Sequence, residues 1–200
     1  MTDLLELQKS FLLRHIREGD TVADFTMGNG HDTLWLSGTV GEQGKVYAFD
    51  IQPQALESTK NLLEEKAMYH NYSLILDSHS ECDKYIKTPI KAGVFNLGYL
   101  PGSDKKITTL HQTTRIAVEK AINLLAPDGI LLIAVYPGHE EGTVEGNMLA
   151  EMLSEYNRRK YCCACFRILN SPISPFFPSF GTKFPPHFAF FCCGACRCLK

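Results

Sequence analysis

The stretch "DFTMGNGHDT", residues 24–33, sets two glycines one residue apart directly after a short apolar run. "TVADFT" before it reads as a strand, and "HDTLWLSGTV" after it as a helix ended by Gly41. A strand, a glycine turn and a helix open the βαβ rhythm of a mostly parallel sheet. Gly28 and Gly30 allow a tight turn and bring backbone N–H groups close to a ligand. The second strand, "KVYAFDI", ends at Asp50, twenty residues after Gly30, where an acid can accept hydrogen bonds from both hydroxyls of a ribose. The pair points to a nucleoside-containing cofactor.

What surrounds the glycines narrows the cofactor. A dinucleotide fingerprint would place a third small residue where Thr33 stands, and a P-loop would continue into Gly-Lys-Ser/Thr. Neither is present. Asp24, Asn29, His31 and Asp32 make the loop polar and acidic, which would repel a pyrophosphate and suit the ammonium and sulfonium charges of S-adenosylmethionine. Thr26 within the loop, and Ile51 and Gln52 just past Asp50, complete the expected cofactor set on this side. Asp77, Ser78 and His79, ending the third strand "YSLILDS", are placed to meet the adenine end; a simple loop turn would use the same residues.

The alternation continues with the helix "PQALESTKNLLEEKAM", opening on Pro53. "AGVFNLG" reads as the fourth strand, "TTRIAVEKAINLLA" as a helix, "GILLIAVYP" as a buried fifth strand and "EGNMLAEMLSEYNRR" as the last helix. After about residue 170, "NSPISPFFPSFGTKFPP" reads as an irregular loop, because proline is excluded from helices and central strands. "HFAFFCCGA" beyond it is expected to pair back with "YCCACFRIL" as an antiparallel edge. One domain over residues 1–200 is expected, with its core at about 17–170 and an atypical Pro/Cys-rich segment at 171–200.

At the end of the fourth strand stands "FNLGYLPGSDKK", residues 95–106. An asparagine followed closely by an aromatic suits methyl transfer to an amine, since the amide oxygen accepts from the amine and aims its lone pair while the ring stacks on a base. Asn96 and Tyr99 are that pair. An alkylamine is mostly protonated near neutral pH, so His139, in "YPGHEEG", or Asp104 is nominated as proton acceptor, with Glu140 nearby. A cap on the next turn is the plainer role for His139.

With these residues assembled, the chain resembles the MnmM (YtqB-like) family of class I methyltransferases, long labelled rRNA methylases. The matching stretches are "DFTMGNGHDT", "GKVYAFDIQ", "DSH", "FNLGYLPGSDKKITT" and "VYPGHEEG". The resemblance implies a Rossmann-like α/β fold and S-adenosylmethionine-dependent N-methylation of 5-aminomethyl-2-thiouridine at the tRNA wobble position, giving 5-methylaminomethyl-2-thiouridine. It implies cofactor contacts from Asn29, Asp32, Asp50, Gln52, Ser78 and His79, a methyl-transfer centre at Asn96, Gly98 and Tyr99, and a homodimer. The Pro-rich stretch and Cys-rich tail depart from the family pattern.

The 200 residues are 44% hydrophobic and 21% charged, with a net charge of -2, so a polyanion-coating protein is disfavoured. The resemblance implies a tRNA anticodon stem-loop as partner, with no DNA and no membrane; Lys105 and Lys106, or Arg158, Arg159 and Lys160, are the candidate phosphate contacts, and each cluster reads equally as an ordinary solvated face. The N-terminus reads as an amphipathic helix without a signal or transit pattern, so the cytoplasm is expected. Among eight cysteines, Cys162 with Cys165 and Cys193 with Cys196 have zinc-site spacing, but residues three apart on a strand face opposite ways, so buried free thiols and no metal are expected. Three alternatives share parts of this pattern: a methyltransferase for another RNA or amine, a non-catalytic RNA-binding homologue, and an NAD-dependent oxidoreductase, which would have no use for "NLGY".

Overall fold

The computed structural model describes residues 4–102, 107–168, 170 and 175–182. Helices α1 (Leu4–Leu12), α2 (His31–Val40), α3 (Pro53–Glu65), α4 (His111–Leu124) and α5 (Glu140–Ser154) alternate with strands β1 (Thr21–Asp24), β2 (Lys45–Asp50), β3 (Tyr72–Leu76), β4 (Ile90–Asn96) and β5 (Leu125–Ala134). A 3-10 helix, His79–Lys84, follows β3, and β6 (Tyr161–Arg167) and β7 (Phe176–Thr182) close the described chain. The seven strands form one sheet in the order β3-β2-β1-β4-β5-β7-β6. β1 to β5 run parallel, and β7 is antiparallel to both β5 and β6. The α/β sheet with an antiparallel C-terminal hairpin is as expected.

Two packed layers cover the sheet. On one face Leu12 of α1, Ile16 just beyond it, and Leu36 and Val40 of α2 pack on Val22, Val46 and Val94. On the other, α4 and α5 bury Ala117, Val118, Leu149 and Leu153 against Phe25, Phe49 and Phe95. The ring of Phe25 stacks between Phe49 at 5.8 Å and Phe95 at 4.3 Å. Successive strand residues supply opposite faces, Val22 to one layer and Ala23 to the other.

The C-terminal hairpin corrects the sequence reading. The strand that pairs with β6 is not "HFAFFCCGA", which lies outside the described residues, but "FFPSFGT", within the stretch read as irregular loop. It lies inside the sheet despite its proline. Pairing with β5 covers Ser179, Phe180 and Gly181 and resumes only at the Val135–Phe176 bridge, so the ladder is interrupted where Pro178 faces β5 with no N–H to donate. Burial of Phe176, Phe177 and Phe180 outweighs the missing bond. Cys162, Cys163 and Cys165 consequently stand on an edge strand: Cys163 and Cys165 are exposed and Cys162 half-buried, where buried thiols were expected. α5 also begins five residues before the expected start at Glu145, because His139 caps it.

Candidate active site

The sheet order reverses between β1 and β4, and the crevice beyond the strand ends at such a point is where α/β sheets bind ligands. A cavity of about 770 Å³ occupies it, a volume of the size that small-molecule sites use. The loop after β1 forms one wall. Gly28 and Gly30 both have positive φ, +50° and +85°, and a Cβ on Gly30 would come within 2.9 Å of the Thr59 Cα. The Met27 N–H donates to the Phe49 carbonyl at 2.8 Å and the Thr59 hydroxyl to the Gly28 carbonyl at 3.0 Å, so β2 and α3 hold the loop.

Asp50 ties loop and strand together. Its carboxylate accepts the Gly28 N–H at 3.1 Å and the Gln52 N–H at 2.9 Å. Burial pushes its pKa up, and the N–H groups of Gln52, Gly28 and Ile51 oppose the rise. Each oxygen keeps lone-pair capacity for a hydroxyl donor. His79 lines the same cavity, 8% exposed. Its Nδ1–H donates to the Phe25 carbonyl at 3.2 Å, and burial pulls its pKa down to about 4, so the ring is neutral.

Of the residues expected from the sequence, Thr26, Gly28, Asn29, His31, Asp32, Asp50, Ile51, Gln52, Ser78, His79, Asn96, Gly98, Tyr99 and His139 all line this cavity. Four do not. Asp24 is fully buried behind the loop, accepting the Thr33 hydroxyl at 2.7 Å and the Thr26 N–H at 3.1 Å, so Asp24 and Thr33 brace the turn. Burial first, then the nearby Asp32 charge, push Asp24 up to about 7. Gly30 shapes the turn from beneath. Asp77 accepts the Tyr85 hydroxyl at 2.7 Å and lies off the cavity. Asp104, Lys105 and Lys106 lie outside the described residues, as do Cys193 and Cys196. Among the described residues no group of three or more His, Cys, Asp or Glu could hold a metal ion.

At the β4 end, Asn96 is held on both sides. Its N–H donates to the Thr26 hydroxyl at 2.6 Å, and its Nδ2 donates to Asp32 at 2.5 Å, leaving Oδ1 buried with no partner among the described residues. The loop beyond closes on itself through a Tyr99–Thr108 bridge and the Thr109 N–H to the Gly98 carbonyl at 3.0 Å. The Gly98 N–H donates to the Thr109 hydroxyl, which donates onward to Glu145 of α5, both at 2.9 Å. Glu145 is wholly buried and also accepts the Thr114 hydroxyl at 2.6 Å. Leu97, Leu100, Ile107, Leu110 and Tyr136 give this end an apolar lining that sequence reasoning did not assign. The one hint was "ITT" in the family-like stretch.

A family model described as "Putative rRNA methylase" matches residues 46–180. A tRNA (mnm5s2U34)-methyltransferase of Arabidopsis thaliana, named chloroplastic, is 38% identical over 80% of this chain and 62% of its own length. The chain thus covers less than two thirds of that relative. A crystal structure of a "putative rRNA-methylase" from Clostridium thermocellum is 35% identical, with 92% of this chain and 99% of that one aligned at a TM-score of 0.89. A "putative methyltransferase" from Streptococcus mutans, solved in complex with SAH, is 34% identical over 92% and 99% of the two chains, with a TM-score of 0.83. By its sequence match and by the fold that it shares with these relatives along nearly its whole described length, the chain belongs to the rRNA methylase family so described.

Proposed function

We propose that this chain is an S-adenosylmethionine-dependent N-methyltransferase acting on the aminomethyl group of 5-aminomethyl-2-thiouridine at the tRNA wobble position, giving 5-methylaminomethyl-2-thiouridine. One observation carries the amine assignment: Asp32 holds the Asn96 amide so that its unpartnered Oδ1 can accept a hydrogen bond from an amine N–H. The Arabidopsis relative's name supports the tRNA substrate, and the Streptococcus mutans complex supports the cofactor.

The residues present fit that cofactor. Asp50 would accept from its ribose hydroxyls, Gln52, Ser78 and His79 would flank its base, and Thr26, Gly28, Asn29, His31 and Asp32 would surround the rest. When bound, S-adenosylmethionine supplies an electrophilic methyl group on a sulfonium, for transfer by in-line displacement. The protein's remaining task is to present a free lone pair. The apolar lining around Leu97, Leu100, Ile107 and Leu110 disfavours a charged ammonium and so favours the neutral amine. Tyr99 at the cavity mouth, 40% exposed, is placed to stack on a base.

The partner in this reading is the anticodon stem-loop, the assembly a homodimer, and the compartment one that holds tRNA, the cytoplasm or an organelle matrix. Among the described residues no helix is long and apolar enough to cross a membrane. The test is methyl transfer from labelled S-adenosylmethionine to tRNA carrying 5-aminomethyl-2-thiouridine and to the same tRNA lacking the aminomethyl group. Label entering only the amine-bearing tRNA, and lost with Asn96→Ala, is the expected result. Transfer to both tRNAs, or donor binding without transfer, would refute the amine assignment.

A further inference from the structure

We propose that His139 determines substrate specificity, donating a hydrogen bond from Nε2–H to a carbonyl oxygen adjacent to the methylated amine. The proposal rests on the amine-methylating reading above. His139 caps α5, and its Nδ1 accepts the Gly142 N–H at 3.0 Å. A backbone N–H can only donate, so Nδ1 carries the lone pair and the proton of the neutral ring sits on Nε2. That Nε2 is buried and has no partner among the described residues. It lies beside Gly98, where a Cβ would come to 4.0 Å from it.

The Asn96 amide has the opposite polarity. With Nδ2 given to Asp32, its Oδ1 is a buried acceptor without a partner. One cavity is therefore lined by a lone acceptor and a lone donor, near each end of the short segment Asn96–Gly98. A ligand that satisfies both must offer an N–H and, close by, an acceptor; leaving either group unmatched once water is excluded is costly. A 5-aminomethyl pyrimidine presents this pair. Its amine hangs from the ring carbon next to C4, and C4 bears a carbonyl acceptor in uracil but an amino donor in cytosine. His139 would thus admit the uracil ring and reject the cytosine ring. In this role Nε2 already carries its proton, so it does not take one from the amine.

The test uses anticodon stem-loop RNAs with 5-aminomethyl-2-thiouridine or 5-aminomethyl-2-thiocytidine at the same position. Wild-type enzyme is expected to favour the uridine by roughly 10⁴-fold in kcat/KM, the scale on which sites built to hydrogen-bond a substrate reject a mismatch. His139→Asn keeps a side-chain oxygen for the Gly142 N–H, since asparagine is a good N-cap, but lacks the reach of Nε2–H. It is expected to lose most of the discrimination, by lowering uridine turnover and raising the cytidine rate as the opposed donor is removed. A ¹⁵N spectrum of histidine-labelled wild-type protein should show the Nε2-protonated tautomer at His139, independently of activity or of the variant's folding. Equal rates on both RNAs, an equal loss on both in His139→Asn, or an Nδ1-protonated ring would each overturn the proposal while sparing the amine reading. Absence of transfer to either RNA by wild-type enzyme would overturn both.

Discussion

At the scale of single residues, two buried titrating groups flank the cavity and pull stability in opposite directions. Asp24, raised to about 7 in the fold by burial and by Asp32, binds its proton more tightly there than in the unfolded chain. Its contribution therefore falls as pH rises from about 4 to about 7. His79, lowered to about 4, binds its proton less tightly when folded, so its contribution rises from about pH 4 to about 6.5. Urea midpoints across this range should show the difference between wild type and Asp24→Asn shrinking as pH rises, and that between wild type and His79→Gln growing. Differences that stay level would refute the assignment. Gly30→Ala would force a left-handed φ on an L residue and push against the Thr59 backbone 2.9 Å away. It is expected to cost about 2 kcal/mol or more in urea unfolding, and to weaken S-adenosylmethionine binding at least tenfold in calorimetry. The glycines and Asp50 were legible because backbone conformation and strand ends leave a local signature. The bracing role of Asp24 was not, since an acid beside a loop looks the same in sequence whether it faces the ligand or lies behind the turn.

Between elements, Glu145 links α5 to α4 through Thr114 and to the loop after β4 through Thr109, whose hydroxyl receives the Gly98 N–H. Burial pushes its carboxyl pKa up, with the two threonine hydroxyls opposing the rise. Glu145→Ala would leave two hydroxyls without their acceptor at a cost of about 2 to 4 kcal/mol. It should also speed amide exchange at Gly98 and Thr109, while Glu145→Gln, which retains an acceptor oxygen, should recover part of both. Unchanged exchange at those amides in Glu145→Ala would show that the loop stands without it. This linkage joins residues 31 and 36 positions apart, and no periodicity encodes such a pairing. The parallel strands were readable because apolar runs and helices alternate at regular intervals. β7 was not, because proline normally signals a loop, and whether its missing N–H matters depends on which strand lies alongside.

For the whole molecule, a net charge of -2 limits how strongly it can hold RNA through phosphates. Binding of an anticodon stem-loop should weaken less than about 100-fold between 50 and 200 mM salt, below the loss expected of a protein with many phosphate contacts. Fluorescence anisotropy across that range checks this; a steeper dependence would point to an extended basic surface. The first helix and the last hairpin also meet: Phe11 packs on Phe166 at 4.8 Å and on Phe177 at 6.0 Å, and the His15 ring hydrogen-bonds the Asp128 carbonyl at 2.8 Å.

β7 lies between β5 and β6, yet it is the last of the described strands to be made. On the ribosome, β1 to β5 can emerge and pair before residues 176–182 exist as chain. During that interval the edge of β5 stands bare, with unpaired N–H and C=O groups that can bind another nascent strand. A chain ended just short of Phe176 should therefore aggregate more readily than the full chain, which light scattering after synthesis in vitro would check.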